Sequence, residues 1–204
     1  MLDFERQFTD KYRLIAGCDE AGRGPLAGPV VCACVIMKEG YVNDEINDSK
    51  KLTEKVRERL YDEILQNCIC YGVSVIGNEE IDRINILNAT KLGMAEAFSN
   101  MGIEPDLLLS DAVEVKPPCR CLPVIGGDGK SFNIAAASII AKVTRDRIMR
   151  DYDKIYPQYE FAKHKGYATK RHIELIRELG ATKIHRKTFL RNLFYEQCSL
   201  WKKR

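Results

Sequence analysis

Residues 16–31 read AGCDEAGRGPLAGPVV. The apolar run Leu14, Ile15, Ala16 passes almost at once to two adjacent acids, Asp19 and Glu20, and then to a glycine-rich stretch with one arginine. Residues 13–18 read as a buried strand and the glycines as a turn. Residues 29–37, which end in VVCACVIM, read as a second strand, being short, continuously apolar and rich in β-formers. Carboxylates at the end of a buried strand are costly unless a partner or a metal neutralises them, so something must gather there.

Outward from that stretch, strands and helices mix. Thr53 caps a predicted helix whose stripe is Val56, Leu60, Tyr61, Ile64 and Leu65. CICYGVSVI, residues 68–76, is a strand; residues 78–102 make one or two helices ending at Gly102. PDLLLSDAV, residues 105–113, is a short buried strand running into Asp111. Residues 116–130 form a loop with room for one short strand, leading to Asp128. Residues 131–157 are a long helix carrying the small patch Ala135, Ala136, Ala137, Ser138, which permits close approach of a sheet or of a ligand strand. A further helix spans 170–179 and stops at Gly180; the tail after His185 can form a last one. With no repeats and no low-complexity linker, the pattern is one α/β domain.

Hydrophobic residues are 45% and charged residues 30% of the 204, an ordinary globular balance. No run approaches the length of a membrane span, and the charged opening MLDFERQFTDKYR lacks an apolar signal segment, so a cytoplasmic location is expected. The net charge of +3 hides an asymmetry. Residues 142–204 hold 17 Lys and Arg against 7 Asp and Glu, whereas residues 1–141 hold 15 against 22. An acidic part with suspicious carboxylates beside a basic part that could hold a polyanion favours nucleic acid as partner. Six of the eight cysteines form Cys-x-Cys pairs, Cys32/Cys34, Cys68/Cys70 and Cys119/Cys121; they read as small buried hydrophobes, the last pair more exposed, since zinc knuckles prefer Cys-x-x-Cys.

Four acids carry the chemistry: Asp19 and Glu20 after one strand, Asp111 after another, Asp128 in a glycine-flanked turn. Mg²⁺ and Mn²⁺ take oxygen ligands, and a two-metal phosphoryl-transfer site needs several carboxylates converging from different elements. Two decoys fail. GDGKS lacks the earlier glycine of a phosphate-binding loop, Val124 standing in its place, and Gly22-x-Gly24 is followed by a strand where a dinucleotide site needs a helix. His164, His172 and His185 lack the spacing of a zinc hydrolase.

GCDEAGRGPLAGPVV, DSKKLTEKVRERL, NILNATKLGM, LLLSDAV, GGDGKSFNIAAASIIAKVTRDRIM and FAKHKGYATKRHIELIRELGATKIHRKTF, in that order over residues 13–189, together resemble the bacterial ribonuclease HII family. The resemblance implies a ribonuclease H-like fold: a mixed central sheet flanked by helices, with residues 1–155 as catalytic core and 156–204 as a small C-terminal helical, substrate-binding part. It implies endonucleolytic cleavage of RNA in RNA–DNA hybrids and incision 5′ of single ribonucleotides embedded in duplex DNA, leaving 3′-hydroxyl and 5′-phosphate ends. Asp19, Glu20, Asp111 and Asp128 correspond to the family's Mg²⁺ or Mn²⁺ ligands, Gly22, Arg23 and Gly24 to its reader of the ribose 2′-hydroxyl, and Tyr167 to the tyrosine that stacks on the adjoining sugar. Lys50 and Lys51 fit phosphate contacts; Lys142, Arg145, Lys163 and Lys165 are weaker candidates. Ser110 and Ala168 depart from the family pattern. QCSLW, Gln197 to Trp201, resembles a sliding-clamp peptide. A monomer is expected. The competing readings are another metal nuclease of the superfold, such as a hybrid-only ribonuclease HIII, and a non-catalytic hybrid-binding module.

Overall fold

The computed structural model describes residues 2–191. The Gln197–Trp201 peptide and the end of the predicted last helix lie outside the described residues. Five strands form one mixed sheet in the order β3-β2-β1-β4-β5. β1 (Ile15–Ala21), β2 (Val30–Met37) and β3 (Cys68–Ile76) are an antiparallel meander, while β4 (Leu107–Asp111) and β5 (Arg120–Val124) run parallel to β1.

β1 departs from the predicted strand in a way that matters. It continues through the two acids, pairing Asp19 with Ala33 and Glu20 with Cys32 of β2, so the acids sit inside the strand and not after it. On the other side the ladder to β4 stops at Cys18–Ser110. The last three residues of β1 therefore keep one bonded neighbour and one open flank, and the open flank is where side chains from elsewhere gather.

The two faces are covered by different helices. α2 (Glu54–Asn67) and α4 (Phe132–Ile155) pack on Val31, Ala33, Val35 and Met37 of β2, and the stripe of α2 foreseen in the sequence lies in that core. α3 (Asn78–Ser99) covers Cys18, Cys32, Cys34 and Leu108. The Ala135–Ala137 patch is buried against the sheet, with Ser138 donating to Ala135 O at 2.9 Å; close sheet approach, not a ligand strand, is its use. Gly17 faces the start of α4, where a Cβ would overlap the backbone of Asn133 and Ile134.

Two local features lay beyond the sequence reading, and a third decides between the one or two helices expected over residues 78–102. The charged opening contains α1 (Leu2–Thr9), whose Phe4 and Phe8 pack on the cluster of Ile15, Leu107, Leu109 and Ile134. Glu5 of α1 is buried against the start of α4: its carboxylate accepts from Ser131 Oγ, from Asn133 N at 2.9 Å and from Asn133 Nδ2 at 2.9 Å. An anion on free helix N–H groups is electrostatically favourable. α3 is broken at Asn85 (φ 66°), whose side chain accepts from Asn88 N at 3.1 Å and restarts the helix. Cys68 and Cys70 fall into opposite cores because the β2–β3 register shifts at Ile36/Met37, whereas Cys32 and Cys34 share one.

After α4 come the short α5 (Phe161–His164) and α6 (Lys170–Leu179), capped by Thr169. They close over the loop that follows β1: Ala27 joins Met149, Tyr159, Phe161, Leu175 and Ile184, while Leu26 joins Ile176 and Leu190. The loop after β1 and residues 149–190 are thereby built into one wall beside the acids.

Candidate active site

Three backbone devices bring the acids together. β1 delivers Asp19 and Glu20 at its open flank. β4 ends on Asp111, and the next residue, Ala112, is left-handed (φ 52°), so the chain leaves the sheet at once. Ser110, one of the departures from the family pattern, fixes that exit: its buried hydroxyl donates to Val113 O at 2.6 Å. A 3₁₀ turn over Gly127–Gly129 presents Asp128, and Gly127 N donates to Asp111 Oδ1 at 2.8 Å, tying the third acid to the turn that carries the fourth.

Asp19, Asp111 and Asp128 each offer an oxygen within 4.8 Å of the others, the one such metal-capable group among the described residues. Glu20 stands beside them. Its Oε1 accepts from Arg23 Nη1 at 3.2 Å, while Oε2 is buried with no hydrogen-bond partner. Burial, then repulsion from Glu20, Asp111 and Asp128, pushes the Asp19 carboxyl well above the usual carboxylate range. Burial likewise raises Glu20 and Asp128, against the pull of Arg23 on the first and Lys50 on the second. Lys50 Nζ lies 3.5 Å from Asp128 Oδ2; despite its partial desolvation, the carboxylates of Asp128, Asp19 and Asp48 hold its pKa above the usual lysine value. A crowd of acids with a buried orphan oxygen is the donor set a hard divalent cation fits.

The Gly22–Gly24 turn adjoins the acids. Gly22 is buried with φ 99°, whereas Arg23 and Gly24 are exposed. Tyr167 is 42% exposed, and its Cε1 would lie 3.9 Å from a Cβ on Gly24, so ring and turn are surface neighbours. Lys51 is exposed next to Lys50 and pairs with Asp48 at 3.8 Å.

The weaker cationic candidates separate. Lys163 is exposed and pairs with Glu160, whereas Lys142 is held by Asp146 at 2.6 Å and Lys165 is buried on Ala162 O. Arg145 is no surface cation at all: it is fully buried and donates only to backbone carbonyls.

Sequence reading also missed what holds Tyr167. All three histidines of the protein meet there. Thr182 N donates to His185 Nδ1 at 2.8 Å, so that ring carries its proton on Nε2, which donates to His172 Nε2 at 3.1 Å. His172 therefore carries its proton on Nδ1 and donates to Tyr167 O at 2.9 Å. His164 stacks on His172 with centroids 4.1 Å apart and accepts from Gly166 N. Burial lowers the pKa of His172 and of His185 to about 4, so the relay is neutral at pH 7.

The family model of ribonuclease HII matches residues 16–196, from the first acid-bearing strand into the tail. The chain belongs to the ribonuclease HII family. The Ruminiclostridium cellulolyticum ribonuclease HII is 52% identical over 194 residues, covering 94% of this chain and 76% of that protein. Among solved structures, ribonuclease H2 from Pyrococcus horikoshii superposes with TM-score 0.72 at 28% identity, covering 86% of this chain and 93% of that one. Ribonuclease HII from Archaeoglobus fulgidus, solved as a complex with PCNA, gives TM-score 0.72 at 28% identity over 85% of this chain and 94% of that one. The ribonuclease H-like fold expected from the sequence is thus the fold observed, and the chain is a metal-dependent endoribonuclease of the ribonuclease HII family. Among the described residues no helix is long and apolar enough to cross a membrane.

Proposed function

We propose that this chain cleaves the RNA strand of RNA–DNA hybrids and incises duplex DNA 5′ of a single embedded ribonucleotide, leaving 3′-hydroxyl and 5′-phosphate ends. The observation that carries this reading is the convergence of Asp19, Asp111 and Asp128 within 4.8 Å, with a glycine turn next to Tyr167 following directly on the acids of β1.

Asp19, Glu20, Asp111 and Asp128 would hold two divalent ions, Mn²⁺ or Mg²⁺. Bound there, the ions supply charge neutralisation of the attacking and departing oxygens of an in-line displacement. The protein's own part is placement. Three rigid elements fix the carboxylates, and Arg23 restrains one oxygen of Glu20 while the other stays unpartnered. Lys50 remains protonated beside Asp128 and, with Lys51, meets the phosphate backbone. Gly22, Arg23 and Gly24 read the 2′-hydroxyl, the group that tells RNA from DNA, through peptide groups that only a Cβ-poor turn lets close. Tyr167 stacks on the neighbouring sugar. Residues 1–155 then form the catalytic core and residues 156–204 the part that grips substrate. The complex of the Archaeoglobus relative supports a sliding clamp as partner, with Gln197–Trp201 as the peptide. The protein acts as a monomer in the cytoplasm.

The test is incision of a duplex with one ribonucleotide, with Mn²⁺ or Mg²⁺ and with EDTA, beside an all-DNA duplex and Asp19→Asn. A single metal-dependent cut 5′ of the ribonucleotide, absent from the controls, is expected. Cutting of long hybrids alone would assign a hybrid-only nuclease; binding without cutting would assign a binding module.

A further inference from the structure

Arg145 and Arg186 are the largest side chains in the fold with no exposed surface. Among the described residues neither forms an ion pair. Each instead spends its fork on main-chain carbonyls. Arg145 donates to Ala27 O at 3.1 Å, Pro29 O at 2.9 Å and Lys165 O at 3.0 Å. Arg186 donates to Gly22 O at 2.6 Å, Arg23 O at 2.8 Å and Gly28 O at 3.0 Å. Gly22 lacks a Cβ where Arg145 Nε lies, so the turn closes down onto the guanidinium. Burial, and then repulsion from Arg145, lowers the pKa of Arg186 to about 9, and both remain cationic at neutral pH. Two unpaired buried cations are a costly way to fill space, which apolar side chains would do better.

Their partners explain the cost. In a trans peptide the C=O of one residue and the N–H of the next point in opposite directions. No peptide in the described chain is cis. With the carbonyls of Gly22 and Arg23 drawn inward to Arg186, the N–H groups of Arg23 and Gly24 are aimed the other way. Those two residues are exposed, and neither N–H has a hydrogen-bond partner among the described residues. Through Lys165 O, Arg145 ties the same loop to the segment carrying Tyr167, whose ring lies 5.7 Å from its guanidinium carbon.

We propose that Arg145 and Arg186 are positioning residues that aim the Arg23 and Gly24 N–H donors and hold Tyr167 beside them, making one prearranged reader of the ribose. The inference rests on the reading of Gly22–Gly24 and Tyr167 under Proposed function and adds what sets their direction. Lysine keeps the charge but lacks the planar fork, so Arg186→Lys frees at least one of the two turn carbonyls.

The experiment compares Arg186→Lys and Arg145→Lys with wild type on the single-ribonucleotide duplex, well below each variant's melting temperature. It also measures Mn²⁺ binding by calorimetry and the ¹⁵N order parameters of the Arg23 and Gly24 amides. For Arg186→Lys, kcat is expected to fall by about 100-fold, the scale of a misplaced reacting group. KM and Mn²⁺ affinity should stay within about threefold. Arg145→Lys is expected to cost about 30-fold alone and under about threefold in a Tyr167→Ala background, because the two act as a unit. Unchanged kcat, Mn²⁺ affinity falling in step with kcat, multiplicative effects of Arg145→Lys and Tyr167→Ala, or failure of both lysine variants to fold would each overturn the proposal. If wild type itself leaves the ribonucleotide uncut, the underlying reading fails. Lower ¹⁵N order parameters at the two amides in Arg186→Lys would then still support the aiming of the donors, and unchanged order parameters would sink that too.

Discussion

Acidification toward pH 4 should break the histidine relay. The pKa of His172 and that of His185 both drop from 6.5 to about 4 on burial. A depressed histidine pKa stabilises the folded state fully above the unfolded value near 6.5, and that stability is lost as pH falls toward 4. Every tenfold loss of proton affinity is worth about 1.4 kcal/mol, so the first proton taken up costs about 3 kcal/mol by pH 4. It belongs to the pair, because the rings share one hydrogen bond and a charge on one disfavours a charge on the other. Against a typical total of about 5–15 kcal/mol that is a large fraction. The carboxylates act oppositely: the raised pKa values of Asp19, Glu20 and Asp128 mean that their mutual repulsion is relieved as pH falls. A urea-unfolding series alone would therefore report a difference of two slopes. The decisive assay is an NMR titration of the three ring Cε1–H signals, one per histidine, run beside urea unfolding of wild type and His172→Asn. The rings of His172 and His185 should stay neutral down to about pH 4.5. The stability advantage of wild type over the variant should shrink as pH drops from 7.5 to 4.5. Two rings titrating between pH 6 and 7, or parallel stability curves, would refute the relay.

Gly17→Ala should destabilise by more than about 3 kcal/mol in urea unfolding, since its Cβ meets helix backbone and not a movable side chain. Asp19→Asn should raise the melting temperature in EDTA by relieving the crowding of carboxylates, while abolishing cleavage and the melting shift caused by Mn²⁺. Glu5→Ala should cost about 1–3 kcal/mol by leaving Ser131, Asn133 N and Asn133 Nδ2 without an acceptor, with circular dichroism confirming that the helices persist.

What could be read from the sequence was whatever repeats locally. Thr53 before a stripe gave α2, and CICYGVSVI gave β3 with its observed bounds. The acids could be singled out because burial of Asp19 and Glu20 side by side needs compensation wherever they sit. Their placement inside β1 could not, because it depends on how far the antiparallel ladder to β2 runs, a matter of pairing across the turn between the strands. α1 hid behind its charges although Phe4 and Phe8 stand one turn apart. Arg145 was indistinguishable from the other cations of a basic helix. Its partners are carbonyls 116 and 118 residues earlier and 20 later, and backbone oxygens leave no mark in a sequence. The histidines lacked any metal spacing, and their use is to hand a hydrogen bond to a main chain, which spacing does not encode.

The wide separation of the clamp from the turn it holds also sets an order of assembly. Gly22, Arg23 and Gly28 wait for Arg186, which lies 158 to 164 residues downstream. The last of the four carboxylates, Asp128, and the helix α4 that packs on the sheet carrying β1 are made earlier than Arg186. During synthesis, from the N-terminus onward, the parts that cut are made well before the part that fixes what is to be cut. A nascent chain halted between those points would own its acids without a directed reader. The topology thus makes discrimination the last property the molecule acquires, and the first it forfeits when its C-terminal wall loosens.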